Sequence, residues 1–148
     1  MSEAATRNRA GYDEDFAAWA EEQARLLREG DVAALDLDHL AEEIESLGNS
    51  ERNALFSRSK ILLQHLLKWR FQPERQSRSW FLSIKVQRRD IARLLKQSPS
   101  LRPTLPEVVT EAYPDAREDA LEETGLYRLP DTCPWSVEQV MSSDFLPD

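Results

Sequence analysis

Apolar residues along this chain recur three and four positions apart, the repeat that puts them on one side of an α-helix. The first run is Phe16, Trp19, Leu26 and Leu27, with Gln23 in phase. It predicts a helix starting near Asp13, where Asp13, Glu14 and Asp15 suit the positive helix end, and stopping at Gly30. A longer run takes in Leu37, Leu40, Ala41, Ile44, Leu47, Ala54, Leu55, Ile61, Leu62, Leu66 and Trp69. With Asp36 as N-cap and Pro73 as terminator, it reads as one helix of about 33 residues rather than two. Gly48-Asn49-Ser50 is its weak spot, because glycine costs ~1 kcal/mol relative to alanine in a helix.

A third helix is expected over 75–97, with Trp80, Ile84, Ile91, Leu94 and Leu95 inward. Pro99 and Pro103 enclose the turn that follows. Thr104 and Glu107 have the spacing of a capping box, in which each side chain satisfies an orphan amide at the start of a helix. That helix carries Leu105, Val108, Val109, Ala112, Tyr113, Ala116, Ala120 and Leu121 straight through Pro114, where proline should kink or split it. Gly125 stops it. Ser136 and Gln139 predict a second capping box and a helix of about two turns, with Trp135 and Phe145 as tail anchors.

No strand-like alternation and no internal repeat interrupts this picture. The expected fold is all-α: a helical bundle built on a long antiparallel helical hairpin, with a short C-terminal helix and a docked tail. Residues 1–11 are polar and aperiodic and read as a disordered N-terminus; 12–148 read as a single helical domain. At 148 residues the chain is long enough to bury a core, and its four glycines argue against a turn-rich β protein. No apolar run nears the ~20 residues of a membrane helix, and Met1 to Arg9 lack the apolar core of a secretory signal. Cys133 has no second cysteine to pair with. A cytoplasmic protein is expected, off the membrane.

Charge changes the picture more. Residues 1–51 hold 4 basic and 14 acidic side chains, 52–102 hold 13 and 2, and 103–148 hold 2 and 11, for a net −8. The basic third interleaves cations with Trp69, Phe71, Trp80 and Phe81, a combination suited to phosphate contact and base stacking. Lys68, Arg70, Arg75, Trp80, Arg88, Arg89 and Arg93 are the candidates for binding nucleic acid or a partner. The low pI of 4.9 and the acidic helices on either side favour the other reading, in which the charges dock the fold on itself.

Site chemistry is sparse. His39 precedes Glu42 by three positions and Glu42 precedes Glu45 by three, a spacing that brings imidazole and carboxylates together on a helix. Di-iron bundles need Glu-x-x-His from two helices, and this order is reversed with no second copy. His65 is a further candidate for a metal ligand or base, but its place beside Leu66 and near Trp69 suits a packed residue. Cys133 and the serines lack any nucleophile signature, and no phosphate-binding or dinucleotide glycine loop is present. No catalytic residue, cofactor or bound metal is expected, and a non-enzymatic module is favoured over an enzyme.

Several motifs carry a family resemblance. They are Tyr12-Asp13-Glu14-Asp15-Phe16 with Trp19, Leu35-Asp36, Leu40-Ala41-Glu42-Glu43-Ile44-Glu45-Ser46-Leu47-Gly48 and His65-Leu66-Leu67-Lys68-Trp69. Gln72-Pro73, Ser79-Trp80, Ser98-Pro99-Ser100-Leu101, Cys133-Pro134-Trp135 and Asp144-Phe145-Leu146-Pro147 continue the series. Through them the chain resembles domain-of-unknown-function family number 29 from Tyr12 to Pro147. The resemblance implies a bacterial, helical, cytoplasmic protein and brings no activity or catalytic residue with it. Three functions are therefore weighed: a protein-interaction or regulatory module that binds a partner or itself, nucleic-acid binding through the basic 52–102 hairpin, and a metal-dependent enzyme at Glu42, Glu45 and a histidine.

Overall fold

The computed structural model describes residues 11–148, so the N-terminal segment 1–11 lies outside the described residues except for Gly11. Among the described residues there are five α-helices and no strand, as the hydrophobic repeat predicts. Helix α1 spans Phe16–Glu29 and starts later than the acidic run suggested. The amides of Glu14 and Asp15 close a turn on the Gly11 carbonyl at 3.1 and 3.0 Å, and Asp15 then acts as N-cap, its carboxylate accepting from the Ala18 amide at 3.0 Å. Gly30 ends α1 in the left-handed region, φ 73°, which glycine adopts without a Cβ penalty.

Helix α2 spans Leu37–Phe71, 35 residues, and passes through Gly48 unbroken. Pro73–Arg75 form a separate 3-10 turn, so α3 covers Arg78–Gln97 rather than starting at Arg75. Ser77 caps α3, its hydroxyl accepting from the Trp80 amide at 3.2 Å. Helix α4 spans Leu105–Thr124 and continues through Pro114 to a left-handed Gly125. The Thr104–Glu107 capping box does not form. Thr104 closes the 3-10 stretch Pro99–Thr104 with helical φ −83° and ψ −9°, and its hydroxyl donates back to the Leu101 carbonyl. Ser136 and Gln139 make both bonds of theirs, opening α5 over Val137–Met141, shorter than two turns. No helix among the described residues is long and apolar enough to cross a membrane.

The described residues fall into two compact units that divide after Gly48. The unit from Asn49 onward has a continuous apolar core. Leu55, Leu62, Leu63, Leu66 and Leu67 of α2 join Ile84, Ile91 and Leu95 of α3, Val109, Ala112 and Ala116 of α4, and Val140 of α5. At roughly 25 cal/mol per Å² of apolar surface removed from water, this cluster supplies most of that unit's stability. Trp80 is only half-buried, so it does not share the core with Ile84 and Ile91.

Two arginines hold the tail to this unit. Arg117 donates from Nε to the Pro130 carbonyl at 3.0 Å and from Nη2 to the Leu129 carbonyl at 3.2 Å. The Tyr113 hydroxyl donates to the same Pro130 carbonyl at 2.6 Å, and burial pushes its pKa up to about 12. Arg88 reaches the carbonyls of Val140, Phe145 and Gln139. The expected anchors Trp135 and Phe145 lie edge to face, 6.4 Å between ring centroids.

Candidate functional site: an apolar row on the first unit and a basic cleft on the second

In the first unit Asp36 is the hub. Its carboxylate accepts from Trp19 Nε1 at 2.9 Å and pairs with His39 Nδ1 at 2.7 Å, while its amide donates to Gln23 Oε1 at 2.8 Å. The Tyr12 ring stacks on His39 at 4.2 Å and meets Trp19 edge-on at 4.9 Å, and its hydroxyl donates to Glu43. These bonds set the charges. The His39 imidazole holds the Asp36 carboxyl below its ordinary value, and Asp36 in turn raises the imidazole. The bond to Glu43 pushes the Tyr12 hydroxyl up to about 12.

These polar and aromatic contacts use the side of α2 that carries His39 and Glu43. Leu37, Ala41, Ile44 and Gly48 fall on a different side, at i, i+4, i+7 and i+11. That side is open to water: Leu37 and Ile44 are 61% and 66% exposed, and Leu47, one step round from Ile44 toward Glu43, is 69% exposed. Phe16, Leu27 and Val32 of the same unit are also exposed. One step round the helix from the row stand Asp38, Glu42 and Glu45, again at i, i+4 and i+7 and all exposed. The first unit therefore presents an apolar row with an acidic border.

The second unit disposes of its cations in two ways. Lys68 is buried, 2.8 Å from Glu123 Oε1 and 4.8 Å above the Trp80 ring. Arg58 lies 3.0 Å from Asp90, and Lys60 3.5 Å from Asp119. Arg88 is buried on the tail. All four make contacts within the fold, and two of them, Lys68 and Arg88, candidates for binding nucleic acid or a partner, are buried. Arg70, Arg75, Arg89 and Arg93 are exposed, although Arg89 and Arg93 both lie within 4 Å of Asp90. Nothing in the charge pattern distinguishes the two buried cations from their neighbours; for Arg88, its helical phase with Ile84 at i−4 is the one available signal.

The metal and base candidates do not assemble. His39 turns to Asp36 rather than to Glu42 or Glu45, and His65 Nδ1 lies 2.8 Å from the Ile61 carbonyl. Burial lowers the His65 pKa, which leaves a neutral, packed imidazole. Among the described residues no group of three or more His, Cys, Asp or Glu side chains is placed to hold a metal ion. Cys133 is half-buried, its thiol directed at the Trp135 carbonyl, and burial raises its pKa, the opposite of what a nucleophile needs.

No curated protein and no solved structure matches the chain. The ordered motifs noted in the sequence, from the Tyr12 segment that builds the hub around Asp36 to the Phe145 segment that Arg88 grips, are those of one family. The family model described as Domain of unknown function DUF29 matches residues 12–146, and the protein belongs to that family.

Proposed function

We propose that this protein is a non-enzymatic interaction module whose first unit receives an amphipathic, basic helix from a protein partner. The observation that carries the reading is the exposed apolar surface of Leu37, Ile44 and Leu47, bordered on its Leu37–Ile44 edge by Asp38, Glu42 and Glu45. An apolar seam with a charged flank is how helices choose one another: the seam supplies the attraction and the flank chooses the partner. Each fully buried leucine or isoleucine is worth about 1.5–3 kcal/mol, against an association cost of several kcal/mol, so the row supports a reversible complex. Residues 11–48 carry 12 acidic and 2 basic side chains, which speeds encounter with a cation-rich partner and makes the rate fall with salt. In this reading the protein works in the cytoplasm, where a lone thiol such as Cys133 stays reduced.

A photo-crosslinking residue placed at Ile44 in living cells tests the proposal. Discrete adducts are expected, whose partner peptides, identified by mass spectrometry, are helical and rich in Lys and Arg. A Leu47→Asp substitution in the same chain should abolish them, and a crosslinker at Glu29 should give none. No adduct at Ile44, or the same adducts from Glu29, would overturn the reading.

A further inference from the structure

The second unit contains a cavity of about 630 Å³ between one face of α3 and the end of the tail, within the size range of small-molecule sites. Phe81, Ile84 and Ala92 form one wall, Met141 and Leu146 the other. Three cations share this apolar space. Lys85 and Arg89 stand exposed at its rim, and Arg88 lies on its inner side with 7% of its surface accessible.

Arg88 is the unusual group. Its Nε donates to the Val140 carbonyl at 2.8 Å, Nη1 to the Phe145 carbonyl at 2.7 Å and Nη2 to the Gln139 carbonyl at 3.3 Å. A guanidinium has five N–H groups, so three carbonyls leave two without a partner among the described residues. All three acceptors are neutral, and no carboxylate among the described residues makes an ion pair with it. Burial pushes its pKa below the ordinary value, which means the buried charge lacks compensation. Lys85 also makes no ion pair among the described residues, while Arg89 Nε lies 3.5 Å from Asp90. One carboxylate, Asp144, lines the cavity, so the lining keeps an excess of positive charge.

We infer that this cavity binds an amphipathic anion, an apolar body with a carboxylate or phosphate head, whose head lies among Lys85, Arg88 and Arg89 and whose body fills the space between Phe81, Ala92 and Leu146. The anion supplies the counter-charge that Arg88 lacks, through charge-assisted hydrogen bonds in a partly desolvated place where they are strongest. The apolar walls select against free inorganic anions, which gain nothing from Met141 or Ile84. The bound molecule touches α3 and the tail together, so it stabilises the folded tail by mass action.

Sodium dodecanoate, titrated calorimetrically below its micelle concentration, tests the inference beside dodecan-1-ol and vesicles of anionic phospholipid. Because Arg88→Ala would release the tail, the variants are Lys85→Glu with Arg89→Glu, and separately Ala92→Trp, each checked for folding by circular dichroism. Saturable binding of one dodecanoate is expected, about tenfold tighter than the alcohol and weakened about tenfold or more by each variant. Vesicle binding with the same dependence on the variants would also support the site and would assign the anion to a lipid headgroup. Three outcomes would each overturn it: neither probe binds, the alcohol binds as well as dodecanoate, or the folded variants bind unchanged.

Discussion

In the first unit, Leu37, Ile44 and Leu47 of α2 stand in water; in the second, Leu55, Leu62 and Leu66 of the same helix are fully buried. The apolar spacing is alike in both, so periodicity cannot explain the difference. Partners do. In the second unit α3 and α4 bring Ile84, Ile91, Val109 and Ala112 to the core. In the first, α1 has three buried residues to offer, Trp19, Gln23 and Leu26, and the first two hydrogen-bond to Asp36. One unit is held by apolar burial, which is strong and non-directional, the other by a few directed polar bonds and ring contacts.

The sharpest way to break the comparison is a pair of truncations on α2. Leu62→Ala should cost about 3 kcal/mol through lost burial and the cavity it leaves. Ile44→Ala should change stability by no more than ~0.5 kcal/mol, as surface positions do. Urea denaturation followed by circular dichroism gives both numbers, and comparable losses would mean that the exposed row is covered in solution.

A smaller effect separates the units by bond type. Trp19→Phe keeps an aromatic ring but removes the indole N–H that donates to Asp36 together with part of the buried ring, and should weaken the first unit by at least ~1 kcal/mol. Hydrogen exchange should then accelerate over Phe16–Glu29 and stay unchanged over Leu55–Phe71. Uniform acceleration would show that the two regions open together.

The smallest effect is in pH, and here the units should move in opposite directions. His39 has its pKa raised by Asp36, so its contribution is complete below about 6.5 and is lost as pH rises through the elevated folded value. His65 has its pKa lowered by burial, so the second unit loses stability as pH falls from about 6.5 toward the depressed folded value. Both amplitudes are modest, that of His39 because its side chain is 37% exposed. Imidazole resonances followed by NMR from pH 4 to 9 should titrate on opposite sides of 6.5; two ordinary titrations would remove the distinction.

The helical architecture was legible because most of its signals are local. Gly30, Gly125 and the Ser136–Gln139 box act within one turn of themselves, and all three behave as their residue types dictate. Thr104 misleads because the prolines before it draw the backbone into a 3-10 stretch, which spends its hydroxyl on Leu101. The candidate surfaces were legible only in part. The acidic and apolar rows of α2 can be drawn from spacing, yet whether a row is covered depends on helices far away in sequence. Arg88 read as one cation among thirteen, since a guanidinium that binds carbonyls 51 to 57 residues away leaves no local mark.

That long reach has a consequence for the order in which the chain is made. Arg88 must wait for Phe145, 57 residues later, which at 5–20 residues per second is about 3 to 11 s of synthesis. The bonds around Asp36 and Tyr12 all lie between residues 12 and 43 and need no such delay. A ribosome therefore carries a nascent chain in which the polar partners around Asp36 and Tyr12 are all present, while α3 still shows water an unclamped cation and the apolar wall beside it.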